Sequence, residues 1–313
     1  MKKIKYSLGF LIFVLSALVI AKQYLFPRFR LPIPQGEYQV GEVSLMLEDD
    51  TRQEIYTKEQ SDHRKVMVTI WYPMKEATGK AKAYPKEVSL AVSSVVGLPK
   101  WLFYHMRPIN TYCYERGVPA DLSKASPLIF FSPGNNSTRF QNLAVVEELV
   151  SEGYTVIGVD HPYTSYDVAY LDGTVAKRNL SLEETGDRLY EREIEIRVQD
   201  MEFVLQKLLK NDNMVDASVW ENMDFSHIGA FGHSYGGATI AEWMARNDSI
   251  LAGLSYDGGL WGSVVQKGFT NPFLYLSAEQ TLAYQADKDT ERGKFVISVL
   301  NNLRAAYAQS TAK

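Results

Sequence analysis

The stretch that decides the fold is His227-Ile228-Gly229-Ala230-Phe231-Gly232-His233-Ser234-Tyr235-Gly236-Gly237-Ala238. It opens as an apolar run that reads as a strand. It turns sharply through Gly232-His233-Ser234-Tyr235-Gly236 and continues into Ala238-Thr239-Ile240-Ala241-Glu242-Trp243-Met244, an amphipathic helix. Gly-x-Ser-x-Gly alone is a common pattern. A strand before it and a helix after it turn it into a nucleophile turn. Such a turn strains the serine backbone and lifts the hydroxyl above the sheet edge. The glycines two before and two after it leave the room this needs. The new helix aims N–H groups and its positive dipole end at the site, which favours an oxyanion. The competing account is a Gly-rich connection carrying a solvated serine.

The same rhythm runs outward from this point. Leu128-Ile129-Phe130-Phe131 is apolar on both faces, as a central parallel strand is, and Ser132-Pro133-Gly134 ends it. Residues 140–150 read as a helix, 154–159 as a strand, 235–246 as a helix, and 251–256 and 272–277 as strands. Between them Ile194, Val198, Met201, Leu205 and Leu208 mark one face of a long charged helix. Residues 36–48 and 64–73 alternate as strands do. Residues 75–125 read as an insertion with some helix and an aromatic patch at Trp101-Leu102-Phe103-Tyr104. The last stretch, 281–309, reads as a polar helix. Strands alternating with helices predict an α/β chain with a mostly parallel sheet and helices on both faces.

Composition excludes other classes. Over 313 residues, 46% are hydrophobic and 22% charged, as in ordinary globular chains. A net charge of −4 gives no basic footprint for nucleic acid. A single cysteine, Cys113, excludes an internal disulfide framework and a cysteine metal cluster. The N-terminus has a basic start, Met1 to Lys5, and an uncharged apolar run, Ser7 to Ala21. That is the pattern of a secretory signal, with Val19 and Ala21 as small residues for cleavage, or of a retained anchor. Residues 1–30 are therefore set apart as signal peptide or membrane anchor. The domain is expected over 36–313, exported and either secreted or tethered, with membrane contact through the N-terminus.

Ser234 is the candidate nucleophile. An oxyanion hole needs two backbone donors. The N–H of Tyr235, just after the nucleophile, is one, and the N–H of Asn135, in the loop after an earlier central strand, is the other. Asp257 closes the strand Leu251 to Tyr256 and precedes two glycines, so it is the candidate carboxylate; a plain turn aspartate is its alternative. Glu279 competes for that role.

These segments resemble the plasma-type platelet-activating factor acetylhydrolases and their bacterial relatives, within the α/β-hydrolase fold. The likeness rests on Gly232 to Thr239, on Gly36 to Pro73 with its ending Ile70-Trp71-Tyr72-Pro73, on Asp160-His161-Pro162-Tyr163 with Asp172-Gly173, and on Leu254 to Gly258. It implies a serine esterase without metal or cofactor, acting on a small ester or phospholipid, with Ser234 as nucleophile and Asp257 as triad acid. Two departures stand out. Pro133-Gly134 replaces the family's His-Gly. All five histidines (His63, His105, His161, His227, His233) precede Ser234, whereas the family's catalytic histidine follows the acid. The last strand of the fold is thus expected to be missing from this sequence. Three readings remain: an esterase represented by a truncated chain, a catalytically inactive protein on the same scaffold, and a membrane-tethered surface protein. On topology, His161 is the one histidine positioned to stand in as base.

Overall fold

The structure, a computed structural model, describes residues 2–115, 117–179, 187–211 and 214–312. In chain order the elements are α1 (Lys2–Leu25), β1 (Gln39–Gln53), β2 (His63–Ala77), α2 (Lys86–Val96), a 3₁₀ segment (Lys100–Met106), β3 (Cys113–Tyr114), β4 (Gly117–Pro119) and β5 (Ser126–Ser132). Then follow α3 (Leu143–Ser151), β6 (Thr155–Asp160), β7 (Val168–Ala169), β8 (Val175–Ala176), α4 (Asp187–Lys210), α5 (Ala217–Trp220), β9 (Met223–His233) and α6 (Tyr235–Met244). The chain continues as β10 (Ile250–Tyr256), α7 (Val264–Lys267), β11 (Phe273–Leu276), α8 (Glu279–Tyr284) and α9 (Glu291–Gln309).

The strands form one sheet in the order β11-β10-β9-β5-β6-β2-β1-β3, with β4 added on β2 and β7-β8 a separate hairpin. From β6 through β11 all neighbours are parallel. β1 and β2 pair antiparallel with each other, and β2 pairs antiparallel with β6. From β5 the chain steps out to β6. It then crosses back through α4 to β9 on the other side of β5. Strand order therefore reverses between β5 and β9, and open α/β sheets bind ligands at the carboxyl ends beside such a reversal.

Both sheet faces are covered, and β5 shows why its sequence is apolar throughout. Successive side chains on a strand point to opposite faces. Phe130 packs into the cluster with Ile194, Met201 and Trp243, on the α4–α6 side. Phe131 packs into the other cluster, with Leu143 and Val146 of α3 and Phe103 of the 3₁₀ segment. Burying each such side chain stabilises by about 1.5–3 kcal/mol. This is an α/β-hydrolase fold: a mostly parallel sheet between helical layers.

Three details differ from the sequence reading. The insertion supplies helix at 86–106, but it also returns to the sheet through β3 and β4, which two or three residues cannot announce by periodicity. The C-terminal helix is two helices, broken at 285–290. His227 is not the start of a buried strand: β9 begins at Met223, and His227 is exposed and bonded to Asp224. At the other end of the parallel run, among the described residues, β11 pairs with β10 alone, and Leu274 and Leu276 are exposed on it.

At the N-terminus, Phe26 packs edge-on against Phe103 and Lys22 sits over the Trp101 ring. α1 leaves Phe10, Leu18 and Ile20 exposed. Among the described residues no helix is long and apolar enough to cross a membrane.

Candidate active site

Three loops at the carboxyl ends of β5, β9 and β10 build the site. Register places Ser132 beside Gly232 and Tyr256 beside His233. The residues leaving those strands therefore emerge next to one another. Ser234 takes φ 52° and ψ −121°, a conformation that costs a non-glycine residue about 1–3 kcal/mol. Three backbone bonds hold it: Ser234 N–H donates to Tyr256 O at 2.7 Å, and Ser234 O accepts from Gly237 N–H at 2.9 Å and from Ala238 N–H at 3.3 Å. The glycines are steric necessities. A Cβ on Gly236 would lie 1.9 Å from Ser132 O, and one on Gly232 would lie 2.3 Å from the Gly236 backbone.

Tyr235 opens α6, so its N–H has no acceptor inside the helix. Asn135 follows the Pro133–Gly134 peptide, and both polar atoms of that peptide are clamped. Arg197 Nη1 donates to Pro133 O at 2.9 Å, and Gly134 N–H donates to Gln141 Oε1 at 2.9 Å. The amide of Gln141 also donates to His233 Nδ1 at 2.7 Å, tying the loop after β5 to the residue before Ser234. Arg197 is fully buried, donates to Thr164 at 3.0 Å and lies 4.8 Å from the centroid of the Tyr235 ring.

Asp257 also has positive φ, at 55°, and its N–H donates to Leu276 O at 2.7 Å. Its carboxylate faces the start of α8. Oδ1 accepts from Ala278 N–H at 2.9 Å and from Ser277 Oγ at 3.3 Å, and Oδ2 accepts from Thr281 Oγ1 at 2.7 Å. Ser234, Asp257, Asn135 and Tyr235 all line one cleft of about 470 Å³. The four residues singled out in the sequence are thus brought together. Glu279 is exposed at the first turn of α8 and is not among the lining residues.

No histidine lines this cleft among the described residues. His161, the topological stand-in, is fully buried and engaged at both ring nitrogens. Nδ1 donates to Asp200 at 3.0 Å, and Nε2 accepts from Ser132 Oγ at 2.9 Å, the tautomer this network assigns. Burial holds the ring neutral, with its pKa pulled down to about 4. Asp200 is the anchor of a buried cluster. Arg64 grips it with two nitrogens, at 3.0 and 2.7 Å, and reaches Glu54 at 3.0 Å. Burial alone would raise the Asp200 pKa, but the Arg64 guanidinium and His161 outweigh it and hold the carboxyl well below its usual range. Thus His161 braces the end of β5 through Ser132, both ring nitrogens engaged, and is not available to Ser234. Burial likewise pulls the His233 pKa below its ordinary value, against the pull of Asp257.

Sequence reasoning missed Gln141, Arg197 and Thr281. For Arg197 a signal existed. It lies three residues after Ile194 on the apolar stripe of α4, where a charge must find a buried partner. For metals, the described residues offer one group, Glu48, Asp50 and His63, with ligand atoms within 4.8 Å. It belongs to the β1–β2 pair, and exposed acids of this kind carry no argument for an ion.

The platelet-activating factor acetylhydrolase, isoform II, family model matches residues 24–306. The chain belongs to that family. Its curated relatives include a probable 1-alkyl-2-acetylglycerophosphocholine esterase of Arthroderma benhamiae, 29% identical over 77% of this chain and 62% of the relative. The platelet-activating factor acetylhydrolase of Gallus gallus is 23% identical over 80% of this chain and 66% of the relative. This family member thus spans about three fifths to two thirds of the length of those relatives. A solved ferulic acid esterase from Streptomyces cinnamoneus superposes on 91% of this chain and 74% of that one, with a TM-score of 0.68 and 26% identity.

Proposed function

We propose that the chain is a carboxylic ester hydrolase of the acetylhydrolase type, working through an acyl-enzyme on Ser234. The observation that carries this reading is Ser234, forced to positive φ, sharing one cleft with Asp257 and the loop of Asn135. Ser234 Oγ attacks the ester carbonyl carbon, and the carbonyl electron pair moves to oxygen. The N–H groups of Tyr235 and Asn135 stabilise that oxyanion; losing one such donor costs about 10²–10³ in rate. A base takes the Ser234 proton as the bond forms and gives it to the departing alcohol on collapse; the same base then takes a proton from the attacking water and returns it to Ser234 as the acid leaves. Asp257 is the carboxylate that would orient an imidazole in that role, beside its bond to Thr281. No cofactor or metal enters these steps. The substrate is a small ester or a phospholipid carrying a short acyl chain, and no nucleic acid is involved.

We place the chain outside the cytoplasm, with the N-terminal segment as signal or anchor meeting the membrane. Exposed Val95, Val96 and Trp101 support a lipid-facing side near the cleft. Ser94 hydrogen-bonds Asn136, beside the oxyanion loop. Fractionation of cells making the chain with and without residues 1–30 checks this; an unchanged distribution would contradict it.

Hydrolysis of 4-nitrophenyl acetate and of a 2-acetyl phospholipid tests the activity, with and without added imidazole as external base. A serine-directed phosphonate should add its mass at Ser234, and Ser234→Ala should abolish both labelling and turnover. Equal hydrolysis by the two proteins, or none by the wild type even with imidazole, would overturn the reading.

A further inference from the structure

The wall of the cleft beside Ser234 is aromatic. Six of its fourteen lining residues carry rings, against 12% aromatic residues in the whole chain, and only Val296 and Val299 are aliphatic. Three of the rings meet as one cluster. Trp261 lies 4.9 Å from Tyr190 at 28° and 6.1 Å from Phe295 at 26°, and Tyr190 and Phe295 are themselves 5.8 Å apart at 46°. The cluster is built in place. A Cβ on Gly259 would sit 2.1 Å from the Trp261 ring, so the indole lies directly on glycine backbone. Tyr235 donates its hydroxyl to Tyr190 O at 2.6 Å, tying the cluster to the residue after Ser234. Phe295 is its exposed member, with 41% of that residue exposed. A ring meant only for the core would be buried; this one lines the cleft that holds Ser234.

We propose that one side of the scissile ester carries a planar aromatic ring, which packs against the exposed Phe295 ring of this cluster. The proposal rests on the ester-hydrolase reading and names the substrate class of the same site. Offset ring stacking adds to simple area burial and gives an aromatic group about a 2- to 12-fold advantage over a saturated ring of like size.

The test uses saturated isosteres, so that size and hydrophobicity stay nearly fixed. For the acyl side, ethyl 3-phenylpropanoate is compared with ethyl 3-cyclohexylpropanoate; for the alcohol side, benzyl acetate with cyclohexylmethyl acetate. Acid release is followed at constant pH, with ethyl butyrate as reference. In one of the two pairs kcat/KM is expected to favour the aromatic ester by about 2- to 12-fold, and Phe295→Leu should bring that ratio to about one. Ratios of one or below in both pairs, with ethyl butyrate turned over, would overturn the inference and leave the hydrolase reading standing. Calorimetric titration of the Ser234→Ala protein with the same four esters needs no turnover. Tighter binding of an aromatic member would support the inference even if no ester were hydrolysed, when the hydrolase reading alone would fall. Equal binding throughout would overturn the aromatic cluster as a binding wall.

Discussion

Replacing Gly236 with alanine separates the tight turn from an ordinary strand–helix connection. On helix propensity alone the change should help by up to about 1 kcal/mol, since Gly236 lies in the first turn of α6. The structure dictates the opposite. The new Cβ would stand 1.9 Å from Ser132 O, and its next neighbours, Ser132 C at 2.5 Å and Pro133 O at 2.7 Å, are also backbone. No rotamer relieves such a contact. Real Cβ atoms stay at least 3.0 Å from their neighbours, so the end of β5 and the start of α6 must part by roughly 1 Å. Overpacking of this kind costs about 1–3 kcal/mol, more than propensity returns. The displaced carbonyl belongs to the peptide leading into Pro133, Gly134 and Asn135. A 1 Å error in such a site costs about 10² in rate. Gly229→Ala is the matched control, because its Cβ would meet nothing closer than 3.7 Å. Denaturant unfolding and ester turnover are measured on both. Gly236→Ala should lose stability and nearly all turnover, while Gly229→Ala stays within about 0.5 kcal/mol of the parent. If Gly236→Ala unfolds and turns over like the parent, the steric account of the turn is wrong.

Gln141→Leu should strand the Gly134 N–H and release His233, lowering stability by about 1–3 kcal/mol and lowering kcat more than it raises KM. Unchanged kcat would show that the clamp does not position the loop of Asn135 for turnover. Arg64→Met leaves the Asp200 charge buried with fewer partners and should cost about 3–5 kcal/mol in a denaturant titration; a cost below about 1 kcal/mol would contradict the buried pair. His161 has a pKa of about 4 in the fold against an ordinary 6.5. Between those values the unfolded chain binds the extra proton, so this contribution is complete above pH 6.5 and fades as pH falls toward 4. It amounts to about 3 kcal/mol. Glu147, raised to about 7 by burial, acts with the opposite sign. The His161 contribution is therefore read as the pH-dependent difference between the parent and His161→Gln, and a flat difference from pH 4 to 7 would refute it.

The amino-acid sequence alone determined what local rules control. Periodicity and turn residues marked β5, β6, β9, β10 and the helices between them, because each strand must be apolar where helices cover it. Gly232, Ser234 and Gly236 were legible because only that spacing fits the turn. Asp257 was legible because a carboxylate followed by two glycines ends an apolar strand. Tertiary structure alone decided how these pieces meet. The register of β5 against β9 against β10 puts Asn135, Ser234 and Asp257 at one edge, and register is a property of paired strands, not of any one segment. The same holds for the supports. Gln141 spans to Gly134 and His233, Arg197 reaches Pro133 from α4, and Thr281 holds Asp257 from α8. The role of His161 also changed on folding. By sequence it sat at the right edge of the sheet for a base. In three dimensions Arg64 and Asp200, distant in the chain, draw it into a buried cluster at the end of β5. A charge buried on α4 needs partners that only the fold supplies, and those partners decide which histidines remain free to react.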